Sequence, residues 1–576
     1  GSVQSGMPEH THQTCTEVRL PALTLENPQL WSCESPQLYN AEVVVTADGM
    51  VVDSLTEQFG IRSLEFSPEF GFKLNGKKIF LQGNANHHDL GALGATCYDK
   101  AIERMMLQLK SFGYNCIRCS HNPYSDSFAR IADRVGILVV DELTDKWSDN
   151  DYWGGRQPFT HIWHKLITEW IKRDRNRPSI ILWSLGNELQ IREGWAGFEG
   201  TNDWGITTYN IFNQLVKRWD HTRLTTVAMF PARAGAITRH DKEFNDYLVP
   251  PELACATEVA SFNYQSDKYD AYLKYRPDLI LFQSEAETSN LLQPYYNMDK
   301  ERMVGIAYWG SVEYWGESNK WPKKGWNYSF FEHTMRPYPQ AYLIKTAFMP
   351  EIPEVHIGVV DAAGAESVSW NDVIVGRMAL NECWNHTPGS RRSLFTFTNA
   401  HSVELLVNGQ SMGIQKNDTT RANLRNMIYW KDVPYGNGGS VVAIARDKSG
   451  KEVARHRIET AGKAVALRIE AETPTDWKAD GMDLQYINVT VIDKKGRPVW
   501  DYNEPLTLQM EGAARLVALD NGDHYTDELF HGITSKRMYQ GRMQIILRSD
   551  QEAGNVTVKI SSAGLKGTLR LKTIKE

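Results

Sequence analysis

Two glutamates stand where an apolar run gives out. "SIILWSLGNELQ", Ser179 to Gln190, reads as a buried strand until it meets Asn187 and Glu188. "LILFQSEAETS" runs the same way into Glu285, with Glu287 two positions further on. An unpaired carboxylate is among the costliest groups to bury, so two such endings call for a common cause. Other apolar runs finish alike. One ends in His87, His88 and Asp89, another in Arg118 and His121, and a third in Asp141 and Glu142, followed by Asp145 and Trp147. Two more end in Asn263-Tyr264 and in Trp309.

Paired carboxyl groups suit the hydrolysis of a glycosidic bond. One protonates the leaving oxygen while the other attacks the sugar carbon or activates water. Glu188 and Glu285 are the candidate catalytic pair. His87, Asp89, Arg118, His121, Asp141, Trp147, Asn187, Tyr264 and Trp309 are the candidate substrate-binding residues. Asn187 is suited to hydrogen-bond a sugar 2-hydroxyl, and Trp309 offers a pyranose an apolar platform. Arg118 can hold a neighbouring carboxylate ionised. No step needs a cofactor, so none is expected. His87, His88, Asp89 and His121 match no standard metal spacing and HExxH is absent, so no metal is expected either. A nucleophile-elbow serine in GxSxG is also missing, which leaves an esterase without support.

Such residues act together only if the fold brings the strand ends to one mouth. From about residue 67 to 350, strand-like runs alternate with amphipathic helical ones. "KKIFLQG" precedes a helix with Ile102, Met105, Met106 and Leu109 on one face, closed by Gly113. "YNCIRCS" precedes one with Phe128, Ile131 and Val135, closed by Gly136. "GILVVDE" leads to Trp163, Leu166, Ile167 and Trp170, and "SIILWSLG" to Ile211, Leu215 and Trp219. "LTTVAMF", "VASFNY", "LILFQS" and "VGIAYW" complete eight strand candidates. Their number and spacing predict a (β/α)8 TIM barrel, whose active site lies at the C-terminal ends of its strands. A doubly wound sheet is the alternative, but its glycine-rich phosphate turn is absent.

Flanking segments read as β-sandwich, immunoglobulin-like modules. Residues 17–66 hold two strands around Asp48-Gly49, a partial sandwich; 355–465 and 466–576 each suggest a sandwich, with a hairpin turn at Asn408-Gly409. Residues 1–16 read as a scar or linker. A length of 576 residues fits such a multidomain chain. With 63 basic against 70 acidic residues, the chain lacks the basic excess of a nucleic-acid binder. No run of about 18 apolar residues is present, so no membrane span is expected. Seven scattered cysteines do not form a disulfide framework, and Cys116 and Cys119 read as strand packing. Homo-oligomerisation is left open.

"FKLNGKKIFLQGNANHHDLGALGA", "GYNCIRCSHNPYSDSFARIADRVGILVVDE" and "RDRNRPSIILWSLGNE" closely resemble glycoside hydrolase family 2, the β-galactosidase and β-glucuronidase group. The resemblance spans roughly residues 25–350. "VELLVNGQSMG" and "DNGDHYTDE" resemble C-terminal modules of gut-bacterial members. It implies a retaining, exo-acting β-glycosidase, foremost a β-galactosidase acting on polysaccharide-derived oligosaccharides, with Glu188 as acid/base and Glu285 as nucleophile. Glu287 competes for the second role. His87, Arg118, His121, Asn187, Tyr264 and Trp309 match positions around the reacting sugar, and the carboxylates are expected about 5–5.5 Å apart. The resemblance further implies a periplasmic or cell-surface location. Three departures stand out. The family's N-terminal jelly-roll and half of the first sandwich are missing, as in a truncated chain. "DELTDKW" lacks the Glu and His that help hold Mg²⁺ in some members. The asparagine–any–lysine reader of uronic acids is absent in its usual spacing, although Lys320, Lys323 or Lys324 keeps a uronic-acid substrate as the alternative. A non-catalytic carbohydrate-binding barrel is the remaining reading.

Overall fold

Eight parallel strands close into a barrel in chain order: β1 (Leu81–Asn86), β2 (Cys116–Cys119), β3 (Leu138–Glu142), β4 (Ile180–Asn187), β5 (Leu224–Met229), β6 (Val259–Asn263), β7 (Leu281–Ala286) and β8 (Gly305–Trp309). β8 pairs back onto β1, and β4 pairs with β5, so no edge is left. The expected barrel is present, with all eight strands on the predicted runs. The computed structural model describes residues 20–147, 159–189, 205–229, 249–288, 292–318, 321–361, 366–370 and 373–575. Lys320 and the whole of residues 1–19 therefore lie outside the described residues.

Period-two alternation decides which side chains enter the barrel. Leu81, Ala85, Cys116, Leu138, Val140 and Ala307 belong to the inner cluster. Their neighbours Ile117, Cys119, Val139, Ile306 and Tyr308 pack outward against the helical layer. Helices α1 (Asp99–Ser111), α2 (Asp126–Val135), α3 (Phe159–Asp174) and α4 (Ile206–Trp219) follow β1 to β4. α2 shows why the sequence folds this way. Ser125 Oγ accepts the Phe128 N–H at 3.2 Å, and Gly136 ends the helix at φ 77°, a conformation that suits a residue without Cβ.

Two details differ from the sequence reading. β1 begins at Leu81, because Lys77–Lys78 pair instead with Gly71–Leu74 in a small sheet outside the barrel. α4 buries Tyr209, Phe212 and Val216, with Ile211, Leu215 and Trp219 only flanking the contact. The helix is rotated because Tyr209 reaches the barrel wall and hydrogen-bonds Thr225 at 2.7 Å.

Around the barrel the remaining chain is β structure. Tyr39–Ala47 and Met50–Phe59 form a two-stranded hairpin. After the barrel come two four-stranded antiparallel sheets enclosing Val355, Trp384, Leu405 and Val441, then a second pair enclosing Trp477, Ile487, Leu506 and Ile545. The last pair is joined to the barrel by an apolar contact: Leu93 and Ala101 cluster with Leu484, Tyr486, Ala518 and Ile546.

Candidate active site

Glu188 and Tyr264 each follow a strand directly, and both adopt left-handed backbone, φ 46° and 60°. This costs a non-glycine residue about 1 kcal/mol or more, and it persists where surrounding bonds fix it. Here the Glu188 N–H donates to Ala228 O and the Tyr264 N–H to Glu285 O, each at 2.8 Å.

Arg118 occupies the centre of the mouth and is fully buried. Its Nη1 donates to Glu285 Oε1 at 2.7 Å, and its Nη2 donates to Glu142 Oε2 at 2.6 Å and to Asn187 Oδ1 at 3.0 Å. The other oxygen of Glu285 accepts the Tyr264 hydroxyl at 2.7 Å. Asn263 Nδ2 donates both to Asn187 Oδ1 at 3.0 Å and to Glu188 Oε1 at 2.9 Å. Glu188 and Glu285 are thus the two ends of one chain of contacts through Asn263, Asn187 and Arg118.

Two carboxyl groups of the mouth are shifted in opposite directions. Burial, and then the charge of Glu285, pushes the Glu188 carboxyl up to about 8, so it holds a proton at neutral pH. Glu142 goes the other way: burial alone would raise it, but the Arg118 charge and the His121 and Ser184 hydrogen bonds hold it below the usual range. His121 Nδ1 lies 2.6 Å from Glu142 Oε1, and its ring stacks on Trp309 with centroids 5.2 Å apart. His87 meets Trp309 and Tyr314 edge-on at 5.1 and 5.0 Å. Burial would lower His87, yet Glu317, whose Oε1 lies 3.6 Å from Nε2, raises it.

Of the eleven candidates, Glu188, Glu285, His87, Arg118, His121, Asn187, Tyr264 and Trp309 are brought together. Three are not. Asp141 points outward by strand alternation, accepting Trp170 Nε1 at 2.6 Å, and burial with the nearby Asp174 charge raises it well above its ordinary value. Trp147 is core: its Nε1 donates to Leu185 O at 2.7 Å and its ring packs edge-on to Phe212. Asp89 uses its carboxylate to fix backbone, accepting the N–H groups of Gly91 at 2.8 Å and Trp315 at 3.1 Å. Glu287 faces a cavity of about 310 Å³ that Tyr264 and the β7 residues Gln283 and Ala286 line together with Ser266, Asp267 and Pro294.

The sequence reading left out four residues of this group. Glu142 and Asn263 were visible as strand endings but were not chosen; the inward parity of Leu138 and Val140 would have selected Glu142. Tyr314 and Glu317 lie beyond β8 in a stretch without periodicity, where no local signal points to them.

Comparison with known proteins bears on the family and the fold. A family model described as "Glycosyl hydrolases family 2, TIM barrel domain" matches residues 69–300, and "Glycosyl hydrolases family 2" matches residues 2–62. "Glycoside hydrolase family 2 C-terminal domain 5" matches 467–569, and a domain of unknown function matches 389–454. A crystal structure of a glycosyl hydrolase family 2 member from Bacteroides cellulosilyticus superposes with a TM-score of 0.80 at 30% identity, covering 94% of this chain and 68% of that one. The chain belongs to glycoside hydrolase family 2. This family 2 glycoside hydrolase is 27% identical to a β-galactosidase of Bacteroides ovatus over 94% of its own length and 67% of the relative's. It is 42% identical to a Formosa agariphila protein provisionally named a β-glucuronidase, over 98% of this chain but only 55% of that protein. The chain thus spans about two thirds of the first of these relatives and about half of the second.

Proposed function

We propose that this family 2 hydrolase is a retaining, exo-acting β-glycosidase, foremost a β-galactosidase acting on polysaccharide-derived oligosaccharides. The observation that carries the reading is the different surroundings of the two carboxyl groups. Glu188 keeps its proton to about pH 8, whereas Glu285 is clamped by two donors that complement a negative charge, Arg118 and Tyr264. Glu188 donates its proton to the glycosidic oxygen as Glu285 attacks the anomeric carbon, and the aglycone leaves as an alcohol. Esterification removes the Glu285 charge, which is one of the two leading causes of the raised Glu188 value. Glu188 then becomes the stronger acid and its carboxylate can deprotonate the water that releases the sugar.

The β-galactosidase name of the Bacteroides ovatus relative supports galactose. The provisional name of the Formosa agariphila relative favours a uronic acid as the second reading, and Lys323 is the cation to test for it. Its ammonium is buried over the Tyr328 ring, 4.2 Å from the centroid, and Tyr328 packs edge-on to Trp326 at 5.1 Å. Turnover of aryl β-galactoside against aryl β-glucuronide decides the question. The first reading expects at least about tenfold preference for the galactoside, a difference of about 1.4 kcal/mol in transition-state binding. A preference for the glucuronide that is lost in Lys323→Met replaces it with the second. Turnover of neither, with Glu285→Ala indistinguishable from the wild type, removes both.

A further inference from the structure

A second cluster of chemistry-bearing side chains lies where the barrel meets the last sheet pair. Glu313 and His333 come from the segment after β8, and His524 from the turn that follows the strand Ala514–Asp520. All three are buried, and one ligand atom from each lies within 4.8 Å of the others. His333 Nδ1 is 3.1 Å and His524 Nδ1 3.8 Å from Glu313 Oε2. Ligands bound at about 2.0–2.2 Å in a tetrahedron stand roughly 3.3–3.5 Å from one another, so these atoms are already near the spacing of a shared ion.

The surroundings have the form of an outer shell. His333 directs its other nitrogen, Nε2, to Asp520 Oδ1 at 2.9 Å, and that oxygen also accepts the Gly522 N–H at 3.0 Å. A carboxylate on the far nitrogen fixes the tautomer of a ligating histidine and raises its basicity. Glu313 is oriented in the same way, its Oε1 accepting the Tyr338 hydroxyl at 2.7 Å. Trp315 walls the cluster, its ring centroid 4.6 Å from His333 and 4.8 Å from His524. We infer that Glu313, His333 and His524 form a divalent metal site of the zinc class that ties the barrel to the C-terminal sheets. Two imidazoles and one carboxylate select zinc over the oxygen-seeking Mg²⁺ and Ca²⁺, and they leave a fourth position for water. The competitor for the centre is a proton on His333 Nδ1 shared with Glu313, which the metal displaces on binding. A superficially similar trio, His356, Glu382 and His456, is a poorer candidate because His456 Nδ1 accepts the Ile357 N–H at 3.1 Å, which leaves its proton on Nε2, the nitrogen that faces Glu382.

The test is metal stoichiometry on the full chain. Protein stripped with a chelator, incubated with excess ZnCl₂ and desalted should retain about one zinc per chain. His456→Ala should retain as much, while His524→Ala and Glu313→Gln should each lose most of it. Cobalt loading should give the visible absorption of a tetrahedral site in the wild type and in His456→Ala only. Should His524→Ala fail to fold, His524→Gln keeps the volume and removes the aromatic ligand. Wild-type protein that retains no zinc overturns the inference, and so does retention unaffected by both Glu313→Gln and a folded His524 variant. Either result would leave the glycosidase reading untouched, since that rests on turnover.

Discussion

Glu188→Gln should make the protein more stable while disabling its acid, and the gain should depend on pH in a defined way. Glu188 is almost wholly buried, and its carboxyl is raised from 4.5 to about 8 by burial and by Glu285. In the unfolded chain the same group ionises near 4.5. Below that pH the carboxyl is protonated in both states, so Glu and Gln are near-equivalent. Between 4.5 and about 8 the folded protein binds the extra proton, and wild-type stability falls by about 1.4 kcal/mol per pH unit relative to the glutamine variant. At pH 7, 2.5 units above the ordinary value, the difference comes to about 3 kcal/mol. For a barrel of this size that is roughly 5–10 °C in the midpoint of its unfolding transition. The assay is thermal unfolding of both proteins at half-unit steps from pH 4 to 8.5, alongside hydrolysis of glycosides with poor and activated leaving groups. The advantage of the variant should be absent near pH 4.5, widen to about pH 8 and then level off. Its rate loss should be larger for poor leaving groups, where proton donation matters most. A pH-independent stability difference, or equal rate losses on both substrates, refutes the assignment of a proton-holding acid at this position.

Other expectations follow from single contacts. Arg118→Met leaves Glu142 and Glu285 without their shared cation and should cost about 3–5 kcal/mol of stability by denaturant unfolding, as well as about 10²–10³-fold in kcat. Tyr264→Phe removes one donor to Glu285 and should lower kcat by about 10–100-fold, the range for a hydrogen bond to a charged group. Asp141→Asn should leave kcat/KM within about twofold of the wild type, because that side chain faces Trp170 outside the barrel; a loss of 10²-fold would return it to the site. Above about pH 8 kcat/KM on poor leaving groups should fall about tenfold per unit as Glu188 ionises, and a flat alkaline limb would contradict its raised value.

The barrel was legible because its strands are short apolar runs, seven of the eight with a polar stop, and the stops carried most of the site. What the runs did not reveal was the facing of individual side chains. On β3 the pairing register shifts between Val139 and Val140 against β4, yet the alternation of inward and outward side chains runs through it unbroken. Asp141 and Glu142 are both polar stops, and only parity counted from Leu138 and Val140 separates them, Glu142 inward to Arg118 and Asp141 outward to Trp170. Trp147 misled for a different reason, since a tryptophan near a strand end fills core as readily as it lines a pocket. Glu317 and the Glu313–His333–His524 group were invisible because their partners lie far apart in the chain and no periodic element carries them. Long-range convergence leaves no local trace.

The unbroken line of contacts from Glu188 through Asn263, Asn187 and Arg118 to Glu285 has a consequence for anyone altering this protein. Residues linked in this way do not contribute separable increments, so a set of single substitutions will overcount what each side chain supplies. Retuning the acid for a different pH optimum by changing Asn263 or Asn187 will also disturb the nucleophile's clamp. Paired substitutions, measured as closed thermodynamic cycles, are the unit in which the chemistry of this mouth can be redesigned.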